Sequence, residues 1–305
     1  MKERLATADL QRVTVVVPTL NRPQSCAAAL RSALDQGAAC AVVVSENASD
    51  AAHAAAYDAL FASLPARVRV LRHSQRLSLE DHFPWLLTQV STPWVVLLAD
   101  DDTLAPDFVD RAMALADRSG AGLVFGPYAS VDASAGTART RSFDYSGASR
   151  VVRAWRFLCR RDDAFIYGLI RTDVLRAALA EFKPLRILGQ RTLTRIAYAP
   201  LLQALLEVRY AHLAGEPVWV RQEDSVKNES YLGENNVRKL LLLLLGEPVL
   251  AARFIRVAWQ SGGAPLALAL LPAAAVMAVL HCVGFVGQGA GRLLRIASVR
   301  VRGQA

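Results

Sequence analysis

The sequence predicts an α/β fold with a mixed, mostly parallel sheet, followed by a helical C-terminal appendage. Three observations predict it. Short Val-rich runs alternate with helix-like segments through about residue 130, the pattern of a parallel sheet covered by helices. Those runs are apolar at successive positions, as in strands buried on both faces. From about residue 236 the composition shifts to leucine-rich and then alanine-rich stretches. The chain therefore divides into a lead-in (1–11), a main domain (12–235) and a helical region (236–305).

Each element has its own signal. Residues 13–17 make a first strand, ended by Pro18. Pro23 suits a first helical position, where its missing N–H is not needed, and a helix continues over 27–34. A second strand at 41–44 ends in the polar run from Ser45 to Asp50. A helix over 51–64 and a short strand at 68–71 follow. Residues 79–90 predict a helix with Pro84 in its first turns. Residues 95–98 form the central strand, 106–118 a helix and 122–125 another strand. The small, polar stretch 130–149 reads as a surface loop or hairpin. Residues 165–171 predict a strand crossing the sheet, with Thr172 or Asp173 capping a helix over 174–182. A helix over 192–214, interrupted near Pro200, and a last strand at 218–220 complete the domain.

The formal charge of +8 calls for an anionic partner. Arg292, Arg295, Arg300 and Arg302 concentrate part of that excess at the end of the chain, which favours a membrane surface over nucleic acid. No zinc-knuckle, helix-turn-helix or aromatic-basic signature supports a nucleic-acid partner. Cys26, Cys40, Cys159 and Cys282 lack paired spacing and read as small buried hydrophobes in a reducing compartment. The N-terminus has no apolar signal core, so a cytoplasmic location is expected. Residues 264–286 are apolar enough to span a bilayer. A single span would separate the basic tail from the main domain, and both should stay cytoplasmic. A surface-lying or re-entrant hairpin on the inner face of the cytoplasmic membrane resolves the conflict. Packing on the main domain or on a second subunit is the alternative.

The most informative stretch is 94–102, where an apolar strand stops at Asp100, Asp101 and Asp102. Three adjacent acids repel one another and need a cation, basic partners or water. Strand ends of open α/β sheets build binding crevices. Asp100 and Asp102 can present oxygens to one hard divalent ion that also holds a diphosphate. The alternative is a solvated turn before a helix. No P-loop or dinucleotide fingerprint is present.

Residues 13–22, 42–50 and 97–102 together, each at the end of a buried strand, resemble family 2 glycosyltransferases. The resemblance implies a GT-A fold, a nucleotide-sugar donor with a UDP-sugar favoured, Mn2+ or Mg2+, and inversion at the anomeric carbon. It places Pro18, Thr19 and Arg22 in the donor pocket. Glu46 stands where the family has Asp, and its carboxylate would accept a pyrimidine imide N–H; a plain turn is the alternative. Asp100 matches the ribose or sugar contact and Asp102 the direct metal ligand, with Asp101 between them. Arg76 is assigned to the phosphates and Asp81 to a sugar hydroxyl; a helix-start role for Asp81 is equally consistent. The family's His that completes the metal site is missing, leaving Glu223 or Asp224 as substitutes. The stretch where the family places its general base, 195–202, has no acid. Among Asp162, Asp163, Glu207, Glu223 and Asp224, Asp163 ranks first because it precedes the crossing strand. The acceptor expected is a cell-surface glycan or a lipid-linked saccharide. A non-catalytic sugar-nucleotide binder and a metal-dependent phosphohydrolase are the rival readings.

Overall fold

The computed structural model describes residues 11–37, 40–132, 136–193, 195–222 and 236–302, with the side chains of the last stretch described over 241–284. Strand β1 (Val13–Thr19) pairs in parallel with β2 (Cys40–Glu46) and β4 (Trp94–Leu97), and β2 pairs in parallel with β3 (Val68–Arg72). Between them run α1 (Pro23–Leu34), α2 (Ala51–Ala62) and α3 (Leu79–Thr88). Val15, Val16 and Val17 are wholly buried, so no face of β1 meets water. Each such side chain is worth about 1.5–3 kcal/mol of transfer free energy. Pro84 lies inside α3, past its first turn.

A short β5 (Thr103–Leu104) and α4 (Phe108–Ser119) lead to β6 (Leu123–Phe125). The polar stretch after it is a hairpin of β7 (Tyr128–Asp132) and β8 (Thr137–Arg141), followed by α5 (Arg150–Arg160). The crossing strand is shorter than expected. Residues Ala164–Tyr167 form a 3-10 turn, and only β9 (Leu169–Arg171) is extended, antiparallel to β4 and β6. Phe165 leaves strand geometry because its ring packs in a cluster with Tyr145, Phe157 and Tyr210.

The expected helix over 174–182 begins at Thr172 as α6 (Thr172–Ala178) and ends in a 3-10 turn, Leu179–Glu181. The expected helix over 192–214 is also corrected. Residues 185–192 make a small hairpin of β10 (Leu185–Ile187) and β11 (Gln190–Thr192), and Arg195 takes a left-handed φ of 64° that blocks helix there. Only α7 (Tyr198–Glu207) is helical, with Pro200 in its first turn where it removes no needed N–H. Then β12 (Tyr210–His212) joins the sheet edge beside β6, and β13 (Trp219–Gln222) pairs with β5 and β7. The main sheet thus has seven strands in the order β12-β6-β9-β4-β1-β2-β3, parallel except for β9. Cys26 and Cys40 are buried, but Cys159 faces solvent and Cys282 is half-buried, which corrects the reading of all four as core residues.

Helix α8 (Asn236–Arg302) breaks at Gly262 and Gly263 into two arms. The arms run back along one another, since Cys282 Sγ lies 3.6 Å from Leu244 O. The first arm buries Leu250, Phe254 and Val257. Arg150 Nη1 donates to Ser261 O, satisfying a carbonyl at the end of that arm, and Trp155 Nε1 donates to Ala269 O at the second. Gly263 holds φ 66° and ψ −164°, a conformation open in practice to glycine alone. Gly263→Ala is therefore expected to cost about 1–3 kcal/mol, read as a lower midpoint in chemical denaturation.

Candidate active site

The site forms where β1, β2 and β4 end together at the C-terminal edge of the parallel strands, the crevice side of such sheets. Asp100 and Asp102 are both buried. Thr19 Oγ1 donates to Asp100 Oδ2 at 2.8 Å, and the Leu20 N–H approaches the same oxygen at 3.3 Å. Arg22 Nη1 bridges Asp100 (3.3 Å) and Asp101 (2.8 Å). Sequence reasoning missed Tyr57. Its hydroxyl lies 2.6 Å from Thr19 Oγ1 and accepts from Arg22 N at 3.0 Å. With Thr19 donating to Asp100, the Tyr57 hydroxyl donates to Thr19, making a relay from α2 to the acid cluster. A phenol on an otherwise Ala-rich, apolar helix face, four residues before Phe61, was the available signal.

Asp102 is differently placed. Its Oδ1 accepts from Gln222 N at 3.0 Å, and its other oxygen has no hydrogen-bond partner among the described residues. Burial, with Asp101 and Asp100 nearby, pushes its carboxyl up to about 7. Burial also raises Asp100, opposed by Thr19 and Arg22. A buried carboxylate with one unmatched oxygen beside two other acids suits a divalent cation, which would discharge it. Glu223 and Asp224, the expected supplementary ligands, lie outside the described residues. No group of three or more His, Cys, Asp or Glu is placed to hold a metal among the described residues.

Glu46 is buried at the end of β2, and its Oε1 accepts from Ser49 N at 2.5 Å. It shapes the turn through Ala48, where φ is 53°, and leaves its second oxygen without a partner among the described residues. Pro18 pairs with Ser45 in the register of β1 and β2. Arg76 binds Asp50 Oδ1 at 2.6 Å, which links it to Asn21 and the turn and not directly to the three acids. Asp81 is exposed and accepts from Ser78 Oγ at 2.5 Å, a helix-start contact. Behind Glu46, His82 Nε2 meets Ser45 Oγ at 2.8 Å, and burial lowers its pKa to about 4.

Asp162 and Asp163 follow α5. Asp162 is a structural anchor: Tyr128 OH donates to it at 2.6 Å, and it caps Ala164 N at 3.0 Å. Asp163 is half-buried and accepts no hydrogen bond from another side chain among the described residues. Burial raises its pKa, Asp162 adds to this, and Arg221 opposes it. Arg221 on β13 feels the fields of both Asp163 and Asp102, as does the Tyr167 hydroxyl. The Tyr167 ring stacks on Trp219 at 4.7 Å. Asp163 and Asp102 thus lie on either side of Arg221 and Tyr167, within reach of both charges. Neither aromatic was singled out from sequence. Glu207 sits at the end of α7 and accepts from Gln203 Nε2.

Several solved structures share this fold. TarS of S. aureus (residues 1–349, in complex with UDP) is 14% identical, with 81% of this chain and 69% of that one covered, at a TM-score of 0.54. The same protein in complex with UDP-GlcNAc is 13% identical over 92% of both chains, at 0.53. The mannosyltransferase PcManGT from Pyrobaculum calidifontis, in complex with GDP-Man and Mn2+, is 16% identical over 95% of this chain and 80% of that one, at 0.51. At such identities the likeness speaks for the fold, which is GT-A-like. No curated protein matches by sequence. The family model described as glycosyl transferase family 2 matches residues 14–187, which hold β1, the acid cluster, Asp163 and the crossing strand. On that match the chain belongs to glycosyl transferase family 2.

Proposed function

We propose that the protein transfers a sugar from a nucleoside-diphosphate sugar to a hydroxyl acceptor, with inversion at the anomeric carbon. The carrying observation is the buried acid cluster at the strand ends, held on one side by Thr19, Tyr57 and Arg22 and open at Asp102. The bound UDP, UDP-GlcNAc and GDP-Man of the similar structures support a nucleotide-sugar donor. Glu46 favours a UDP-sugar, because its second oxygen is an acceptor for an imide N–H.

Asp102, with Asp100, would hold Mn2+ or Mg2+; such an ion supplies positive charge to the leaving diphosphate. The Mn2+ of PcManGT supports this assignment. Arg22 binds two of the three acids and offsets their charge. In the transfer step the acceptor oxygen bonds to the anomeric carbon as the bond to the diphosphate oxygen breaks. Asp163 takes the acceptor proton, and the nucleoside diphosphate leaves. Its raised pKa makes it a stronger base than an exposed carboxylate.

Asp102→Asn removes one anionic ligand and keeps the shape. Calorimetry with UDP is expected to lose its manganese dependence, while the melting temperature does not fall. Unchanged affinity in manganese would overturn the metal assignment. A growing cell-surface glycan or a lipid-linked saccharide is the acceptor class this reading favours.

A further inference from the structure

The second arm of α8 presents a face that nothing among the described residues covers. Its inner side is buried, with Leu266, Leu270, Ala274 and Ala278 packed inward. Its outer side exposes Leu268 (65%), Val276 (56%), Val279 (62%) and Val283 (64%). Residues 264–286 hold no Asp, Glu, Lys, Arg, Ser, Thr, Asn or Gln. A helix lying on a water-facing surface carries polar residues on that side. Here an apolar face runs for roughly 30 Å at the α-helical rise.

Charge selects what covers it. Arg253 and Arg256 of the first arm pair with Glu181, and residues 257–305 contain four further arginines and no acid. A second copy, related by a two-fold axis, would set this all-cationic segment against itself. Anionic lipid headgroups complement it. We propose that the outer face of the second arm lies along the headgroup region of an anionic membrane, with the tail arginines engaging lipid phosphates.

The arm lies on the surface and does not cross the bilayer, because its inner face is already spent on the domain. Both arms are also tied to the domain at one point. Glu247 of the first arm pairs with Arg161 at 2.5 Å, and His281 of the second lies 2.9 Å from the same guanidinium. Arg161 stands two residues before Asp163. The membrane-facing arm therefore passes, at His281, beside the segment that carries the proposed base, where a lipid-borne hydroxyl would arrive. That last consequence rests on the sugar-transfer reading above; the docking does not.

The test is flotation of the full chain with phosphatidylglycerol/phosphatidylcholine vesicles and with pure phosphatidylcholine vesicles. Sedimentation velocity and UDP calorimetry are run on the same samples. The wild type should float with the anionic vesicles and far less with the neutral ones. Val276→Asp with Val279→Asp should weaken that binding at least about tenfold, with UDP affinity and sedimentation coefficient unchanged. Equal flotation by the variant, or none by the wild type, would overturn docking. So would a wild-type dimer that the same variant splits, since a second copy would then cover the face. Vesicle binding without any UDP binding would support docking and count against the donor reading alone.

Discussion

Asp163→Asn is expected to slow sugar transfer by about 10²–10⁴-fold, the usual contribution of a general base, while UDP binding holds. The carboxylate is isosteric with the amide, no other side chain among the described residues donates to it, and the amide oxygen can still accept from its own backbone N–H, so the substitution leaves the local structure in place. Loss of rate with donor affinity intact separates the acceptor side from the donor side. Asp162 provides the control. It is bound by Tyr128 and by the turn at Ala164, so Asp162→Asn should lower stability before it lowers rate. Full transfer by Asp163→Asn, measured with saturating donor, would remove the role from Asp163. It would pass to Glu223, Asp224 or Glu207.

The parts of the site that were legible in the sequence lie where local chemistry changes abruptly. A both-faces-buried strand must end at the sheet rim, so Thr19 after Val13–Val17 and Asp100 after Trp94–Leu97 were readable as rim residues without a structure. Their contact, 81 positions apart, follows once β1 and β4 pair in parallel. What was not legible depends on tertiary packing. Residues 165–167 are as apolar as a strand, and the aromatic cluster around Phe165, with Asp162 capping Ala164 N, accompanies the 3-10 turn formed there. The break at Arg195 is a left-handed residue that no side-chain preference announces. The partner of Arg76 is likewise a matter of the fold: Asp50, brought near by the turn after β2, pairs with its guanidinium at the surface.

The least legible feature yields the last large effect. Glu247→Ala is expected to cost about 3–5 kcal/mol, the usual penalty for breaking a buried ion pair from one side. Glu247 is fully buried, and Arg161 and Arg195 converge on it from segments far away in sequence, with side chains only 2% and 11% exposed. Removing the carboxylate strands two guanidinium groups, one of which already has Nε and Nη2 without partners. The loss should appear as release of the α8 arms from the domain, seen as faster proteolysis within 236–302 and a lower melting temperature. Two controls distinguish charge from packing. Replacing Arg161, Arg195 and Glu247 together by Met, Met and Leu should recover most of the loss, since apolar groups of similar volume remove the stranded charge. The second control is pH. Burial raises the Glu247 pKa, but His281, Arg195 and Arg161 outweigh it and leave the group below its ordinary 4.5. A carboxylate depressed in the folded state stabilises above its unfolded pKa and loses that contribution as pH falls through the folded value. Wild type and Glu247→Gln should therefore differ fully at neutral pH and converge in acid below 4.5. A gap that stays constant down the acid limb would show that the node holds α8 by shape and not by charge.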